Sequence, residues 1–143
     1  MVVVHLVATL YMTGLIWFVQ IVHYPLMAWV GPERFSAYAQ RHQKQTTWLV
    51  LPVMLLELGT GLALVYVSLD QQSWSGPAWA GAALLAVIWG MTLLVHVPQH
   101  VRLLQGYNPA LIRQLVLTNS VRAVAWTIRS GLALWFLLDL LAK

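Results

Sequence analysis

The chain has 143 residues, enough for one domain, of which 60% are apolar and only 8% charged. A soluble domain of this size carries about a quarter charged residues, so this composition cannot clothe a water-soluble globule, and lipid is the solvent it suits. Eight Lys and Arg against four Asp and Glu are too sparse and unclustered for a nucleic-acid partner, and zero cysteines exclude disulfides, thiolate metal sites and iron–sulfur clusters.

A helix needs about 20 apolar residues to cross a bilayer, and four stretches qualify. The first is expected at about 2–30. It lacks a basic n-region and a small-residue cleavage site, and its apolar run is too long for a signal peptide, so it is expected to be a span. Gly31-Pro32 ends it and opens the next helix, with Pro32 at a first-turn position. The polar segment 33–47 is expected to be helical, either lying at the interface or extending the second span, placed at about 46–69. Asp70 to Ser73 and Ser75-Gly76-Pro77 are expected to form the second loop.

The third span is expected at about 78–104 and the fourth at about 112–141. Between them Asn108 is the expected N-cap and Pro109 the first-turn residue of the last helix. Pro52 and Pro98 lie inside spans and are expected to kink them. No internal repeat is expected. The fold class predicted is all-α, a membrane-embedded antiparallel four-helix bundle forming a single domain. Gly59-Thr60-Gly61 permits close helix contact, within the bundle or between protomers, so a homo-oligomer stays open.

Four spans put both termini on one side. The other side, called side A here, holds the first and third loops, with Arg34, Arg41, Lys44, Arg102 and Arg113 against Glu33; the termini side has Asp70, Asp139 and Lys143. Cytoplasmic loops are enriched in Lys and Arg, which predicts side A in the cytoplasm and both termini outside it.

Ionisable groups within spans are expensive and suggest a functional site. Here they are His23, Glu57, His96, His100, Arg122 and Arg129, with His42 just before the second apolar stretch. Antiparallel threading brings His23, His42, His96 with His100, and Asn119 with Arg122 to the side A ends of the four helices, each roughly 8–20 Å from its helix end. His96 and His100 are i, i+4 and share a face. Asn119, Arg122, Trp126 and Arg129 fall within about 80° on a helical wheel. Thr13, Trp17, Gln20, His23 and Tyr24 form one stripe on the first helix.

Imidazoles suit copper, iron, zinc and nickel and also ligate haem. His23, His42, His96 and His100 are therefore the candidate metal ligands, and His23, His96, His100 and Arg122 the candidate cofactor-binding set, for a transition metal (copper or iron) or haem b. No carboxylate adjoins the His pair, which argues against a carboxylate-rich di-iron site. Arg122 would meet an anion: a propionate, a substrate carboxylate or a quinone oxygen. Glu57, Arg122 and Asn119 are the candidate catalytic residues. Glu57 is expected to pair with Arg129 or to carry a proton, and Gln20 or Asn119 to hold the outer imidazole nitrogens. His5, near the opposite end, is expected to be an interface residue. Each histidine has a plainer reading as an interhelical hydrogen bonder, and the tryptophans one as belt and packing residues.

The segments WFVQIVHYPLM, RHQKQT, LPVMLLELGTGLAL, VHVPQH and LTNSVRAVAWTIRSGLAL resemble the anthrone oxygenase-like integral membrane family of bacteria and fungi. The matching positions are His23 with Pro25, Pro98 with His100, and Asn119 with Arg122. The resemblance implies a four-span fold and oxygen or quinone redox chemistry. The expected function is a membrane oxidoreductase acting on a lipophilic, quinone- or polyketide-like molecule in a bacterial inner membrane. The alternative is a non-enzymatic transport or assembly subunit with a structural polar cluster. A reporter enzyme fused after Lys143 is expected to be active outside the cytoplasm; activity confined to the cytoplasm would invert the orientation and leave the spans intact.

Overall fold

The structure, a computed structural model, describes residues 1–71 and 75–142. Four long helices account for them. Helix α1 runs from Val2–Phe18 through a π-helical segment, Val19–His23, into Tyr24–Met27. Helix α2 is continuous over Pro32–Gln71. Helix α3 runs from Ser75–Gly90 through a second π-helical segment, Met91–His96, into Val97–Leu103. Helix α4 spans Pro109–Leu141. All four are long and apolar enough to cross a membrane.

The expected punctuation is present at two boundaries. Pro32 opens α2. Asn108 caps α4, its side-chain oxygen accepting from the Leu111 N–H at 3.0 Å, with Pro109 next to it, where a missing N–H costs nothing. Gly106, at φ 145°, turns the chain just before this cap, a conformation that glycine adopts without Cβ strain. Elsewhere the segment 33–47 takes one of its two expected placements, as an extension of the second span, while α1 stops at Met27, short of the expected 30. The segment 33–47 continues α2 into a helix of 40 residues, about 60 Å long and twice a ~30 Å hydrocarbon layer. Asp70 and Gln71 end α2 instead of opening a loop, and Ser75-Gly76-Pro77 forms the first turn of α3. Polar residues beyond the hydrocarbon need not leave the helix, so composition alone set these boundaries too short. Gln72, Ser73 and Lys143 lie outside the described residues.

Pro52 sits inside α2 without a break in helix type, whereas Pro25 and Pro98 each follow a π-helical segment. A proline offers no N–H to the carbonyl four residues back, and its ring crowds that carbonyl. Widening the preceding turn by one residue relieves the clash. Accordingly the Tyr24 N–H reaches the Val19 carbonyl and the Val97 N–H that of Thr92, each five residues back. Both sites read Val-His-x-Pro, at 22–25 and 95–98. This local recurrence is too short to be an internal repeat.

The helices form a closed ring, with α1 against α2 and α4, and α3 against α2 and α4. Apolar layers alternate with polar ones. At side A, Tyr24, Met27, Phe35, Leu103, Ile112 and Leu115 pack together. Met12, Ile16, Met54, Ile88 and Trp126 fill the middle, and Val2, Leu64, Val65, Ala78 and Phe136 the termini end. Outward positions carry Leu94, Leu117, Trp48 and Tyr66, each more than 70% exposed, a surface matched to hydrocarbon and interface.

Between the middle and termini layers lies a buried ion pair, as the sequence predicts. Arg129 Nε donates to Glu57 Oε1 at 2.9 Å. Glu57 also accepts from the Thr9 hydroxyl at 3.0 Å and from Trp126 Nε1 at 2.9 Å. Arg129 bonds the Gly81 carbonyl and approaches His5 Nε2 at 3.4 Å, while His5 Nδ1 meets Thr60 Oγ1 at 2.8 Å. Gly61 packs against this group: a Cβ there would stand in van der Waals contact, 3.4 Å from the His5 ring. His5 is therefore a buried member of this network, 5% exposed, and not an interface residue.

Replacing Arg129 by Leu is expected to destabilise the protein by about 3–5 kcal/mol, because Glu57 is left buried and uncompensated. Adding Glu57→Gln should restore part of the loss in a thermal melt, whereas losses that simply add would rule out the coupling. His5→Ala should lower the melting temperature as well, since it strips Thr60 and Arg129 of a partner.

Candidate functional site

The second polar layer lies between the side A and middle cores, and the two π-helical segments build it. Each ends on a histidine, His23 or His96, with a proline two residues later. π-bulges inside α-helices concentrate at functional sites. Here each re-aims a ring that regular α-helix would point elsewhere.

His96 is 2% exposed, and its Nδ1 lies 2.8 Å from the Met91 carbonyl. A carbonyl only accepts, so Nδ1 carries the proton and Nε2 keeps its lone pair. Thr118 Oγ1 stands 3.5 Å from that Nε2, a long contact for a hydroxyl that also has Gln99 Oε1 at 3.2 Å and the Gln114 carbonyl at 2.9 Å. The His96 lone pair is thus weakly engaged.

The other three side A histidines stand in a row. His23 Nε2 lies 2.9 Å from His42 Nδ1, with ring centroids 4.5 Å apart. His42 and His100 follow at 5.4 Å. His100 Nε2 meets the Tyr24 hydroxyl at 3.0 Å. Thr46 Oγ1 is 3.1 Å from His42 Nδ1, and Tyr38 stacks on the His42 ring with an interplanar angle of 10°. His42 is buried and belongs to the cluster; it is not a solvated neighbour of Arg41 and Lys44.

Arg122 completes the layer from α4. It is 6% exposed, its guanidinium carbon lies 5.2 Å from the Trp126 ring centroid, and it faces the Tyr24 hydroxyl. Trp126 therefore touches both polar layers, giving its N–H to Glu57 and its ring face to Arg122. Asn119 Nδ2 donates to Gln20 Oε1 at 2.8 Å, and Gln20 Nε2 donates to the Val116 carbonyl. These two amides hold α1 to α4. Neither holds an imidazole nitrogen, contrary to the sequence expectation; the Met91 carbonyl, Thr46 and Tyr24 take those positions.

A cavity of about 210 Å³ lies against this layer. Tyr24, His42, His96, His100 and Arg122 form its polar wall, and Met12, Ile16, Val19, Val50 and Met54 its apolar one. Among the described residues no Asp or Glu lines it. Its rim includes exposed residues from two helices: Thr47 and Leu51 from α2, Leu93 and Val97 from α3. Helix α2 approaches α3 at Ser75–Gly90 and again at Val97–Leu103, but among the described residues not across Met91–His96. The π-helical segment thus marks a lateral gap, and the cavity opens through it onto the outer apolar face of the bundle.

Of the candidate residues, His42, His96, His100 and Arg122 line the cavity directly. His23 stands behind His42, and Asn119 is buried with its Oδ1 unpartnered. Glu57 does not line it. Its carboxylate is held by three donors in the other polar layer, so its catalytic assignment gives way to a structural one. The described residues contain no group of three or more side chains arranged to hold a metal ion. Sequence reasoning missed Tyr38, Thr46 and Thr118. The first two were signalled by their four-residue spacing from His42, whereas Thr118 had no such signal. No family model, curated protein or solved structure matches the chain.

Proposed function

We propose that this chain is an integral membrane oxidoreductase, oxygenase-like, acting on a lipophilic quinone- or polyketide-like molecule that enters from the bilayer. The observation that carries the reading is the side-opening cavity, whose apolar mouth leads to a wall of three imidazoles, a phenol and a guanidinium. Cavities that bind small molecules are mostly apolar with a few convergent polar groups. The anthrone oxygenase-like resemblance of the sequence points the same way. The lysine and arginine bias of its loops favours side A in the cytoplasm.

The chain's own residues divide the work. Arg122 and Tyr24 would hold an oxygen of the bound ring through charge-assisted and hydroxyl hydrogen bonds. His96 Nε2 would accept a proton from a substrate hydroxyl, its tautomer fixed by the Met91 carbonyl. His100 with Tyr24, and His42 with His23, would each share a proton across a contact of about 3 Å, the two pairs standing side by side with the His42 and His100 rings 5.4 Å apart. Neutral imidazoles also suit a copper or iron ion; with His23, His42, His96 and His100 as its ligands, His96 Nε2 would be a metal donor and no longer the proton acceptor. The enclosed volume of about 210 Å³ is small for a haem macrocycle, which favours a metal ion over haem b. A bound metal would supply the one-electron chemistry that these side chains lack.

The test uses full-length protein in a non-ionic detergent. Stoichiometric copper or iron, and oxidation of a lipophilic quinol to the quinone with dioxygen taking up the electrons and protons, are expected. His96→Ala and His100→Ala should each lower metal affinity roughly tenfold or more while helical content holds, and Gln114→Ala, at an exposed position, should change neither. A Soret band would assign haem instead. Neither metal nor haem, with no turnover, would overturn the oxidoreductase reading in favour of a non-enzymatic membrane subunit.

A further inference from the structure

Two arginines seven residues apart on α4 have opposite surroundings. Arg129 is paired with Glu57. Arg122 is equally buried and makes no ion pair among the described residues. The chain holds only four carboxylates. Glu57 is committed to Arg129, and no carboxylate lines the cavity that Arg122 faces. A buried lysine or histidine could escape this situation by giving up its proton. A guanidinium cannot. Its Nε is buried without a hydrogen-bond partner, and so is Trp89 Nε1 on the same cavity wall. Both are donors. The wall therefore carries a fixed positive charge, with a Trp ring and a Tyr hydroxyl beside it. Buried charges are ordinarily paired, and here nothing in the wall supplies the counter-charge.

We propose that the cavity is a binding site for an amphipathic organic anion. A carboxylate or phenolate head sits on Arg122, and a flat apolar body lies against Met12, Ile16 and Met54 after entry past Leu51 and Leu93. The proposal rests on the side-opening cavity of the functional reading above and names its ligand class, but it needs no redox chemistry. The paired Arg129 serves as an internal contrast: the same residue type, on the same helix, anchors structure where a carboxylate is built in and recognises a ligand where it is not. An anionic phospholipid head offers related chemistry, so the test separates the two sources.

Full-length protein in a neutral detergent is titrated calorimetrically with naphthoate and with naphthylmethanol, which share a body and differ in charge. Naphthoate should bind roughly tenfold or more tightly than the alcohol, as a charge-assisted contact implies. Arg122→Met should bring the two affinities together, and Arg122→Lys should keep part of the preference. Competition by phosphatidylglycerol would assign the head to a lipid, and its failure to compete would assign it to a free organic anion. Arg122→Met removes an uncompensated charge, so it should melt no lower than the parent, unlike Arg129→Leu. Should the variant nevertheless fail to fold, the parent alone decides: naphthoate raises its melting temperature by mass action and the alcohol does so far less. Equal affinity for both compounds, equal stabilisation by both, or a preference that survives Arg122→Met overturns the anion site. Metal and quinol oxidation without anion preference would sink this proposal and leave the oxidoreductase standing; anion preference without metal or turnover would do the reverse.

Discussion

The Glu57 carboxylate organises the bundle. It sits on α2 and takes donors from Thr9 on α1 and from Trp126 and Arg129 on α4, while Arg129 reaches on to the Gly81 carbonyl of α3 and to His5 of α1. One buried charge pair therefore ties all four helices together, across the diagonal of the ring as well as around it. An apolar interior alone would specify such an assembly poorly, because apolar side chains of similar size can slide past one another and lipid competes for the same surfaces. The ion pair has one register in which every donor finds its acceptor. That register fixes the depth of Trp126, and Trp126 in turn presents its ring to Arg122 in the neighbouring polar layer.

The two polar layers differ in completeness. Around Glu57 the acceptors and donors are matched. Around Arg122 they are not: Arg122 Nε, Trp89 Nε1, Gln99 Nε2 and Asn119 Oδ1 are all buried without partners. Unsatisfied polar groups are few in native proteins, and each calls for a reason. Their gathering on the side A half, three of the four being donors, gives that half the character of a site and the Glu57 half the character of a clamp.

Much of the fold was legible from composition and punctuation. Four apolar stretches, Pro32 and the Asn108 cap announced four helices, and the Glu57–Arg129 pair followed from the need to neutralise charges at one depth. The side A histidines were legible as a group because antiparallel threading alone brings their helix ends together. Their exact partners were not. Each π-helical segment inserts one residue's worth of rotation that a 100° wheel does not contain, so the wheel could not say that His96 would turn back to Met91 or that His23 would meet His42. Position along α1 made His5 look terminal, whereas its spacing from Thr9 and Thr13 carried the signal of a buried stripe. The metal question lay beyond sequence because identical residue types serve as ligands and as hydrogen-bond partners.

The direction in which the cavity opens changes what concentration means for its occupant. On the proposed reading, a mouth between α2 and α3, rimmed by Leu51, Leu93 and Val97, would sample the surrounding hydrocarbon rather than the aqueous phase. Occupancy then follows the mole fraction of a molecule dissolved in the membrane, and partitioning becomes the first stage of selection. A water-soluble analogue with an identical head would be excluded before meeting any side chain, whereas a weakly held hydrophobic one could saturate the site. Discrimination would then be shared between the bilayer, which sorts by polarity, and the protein, which would have only to distinguish among molecules the lipid has already admitted.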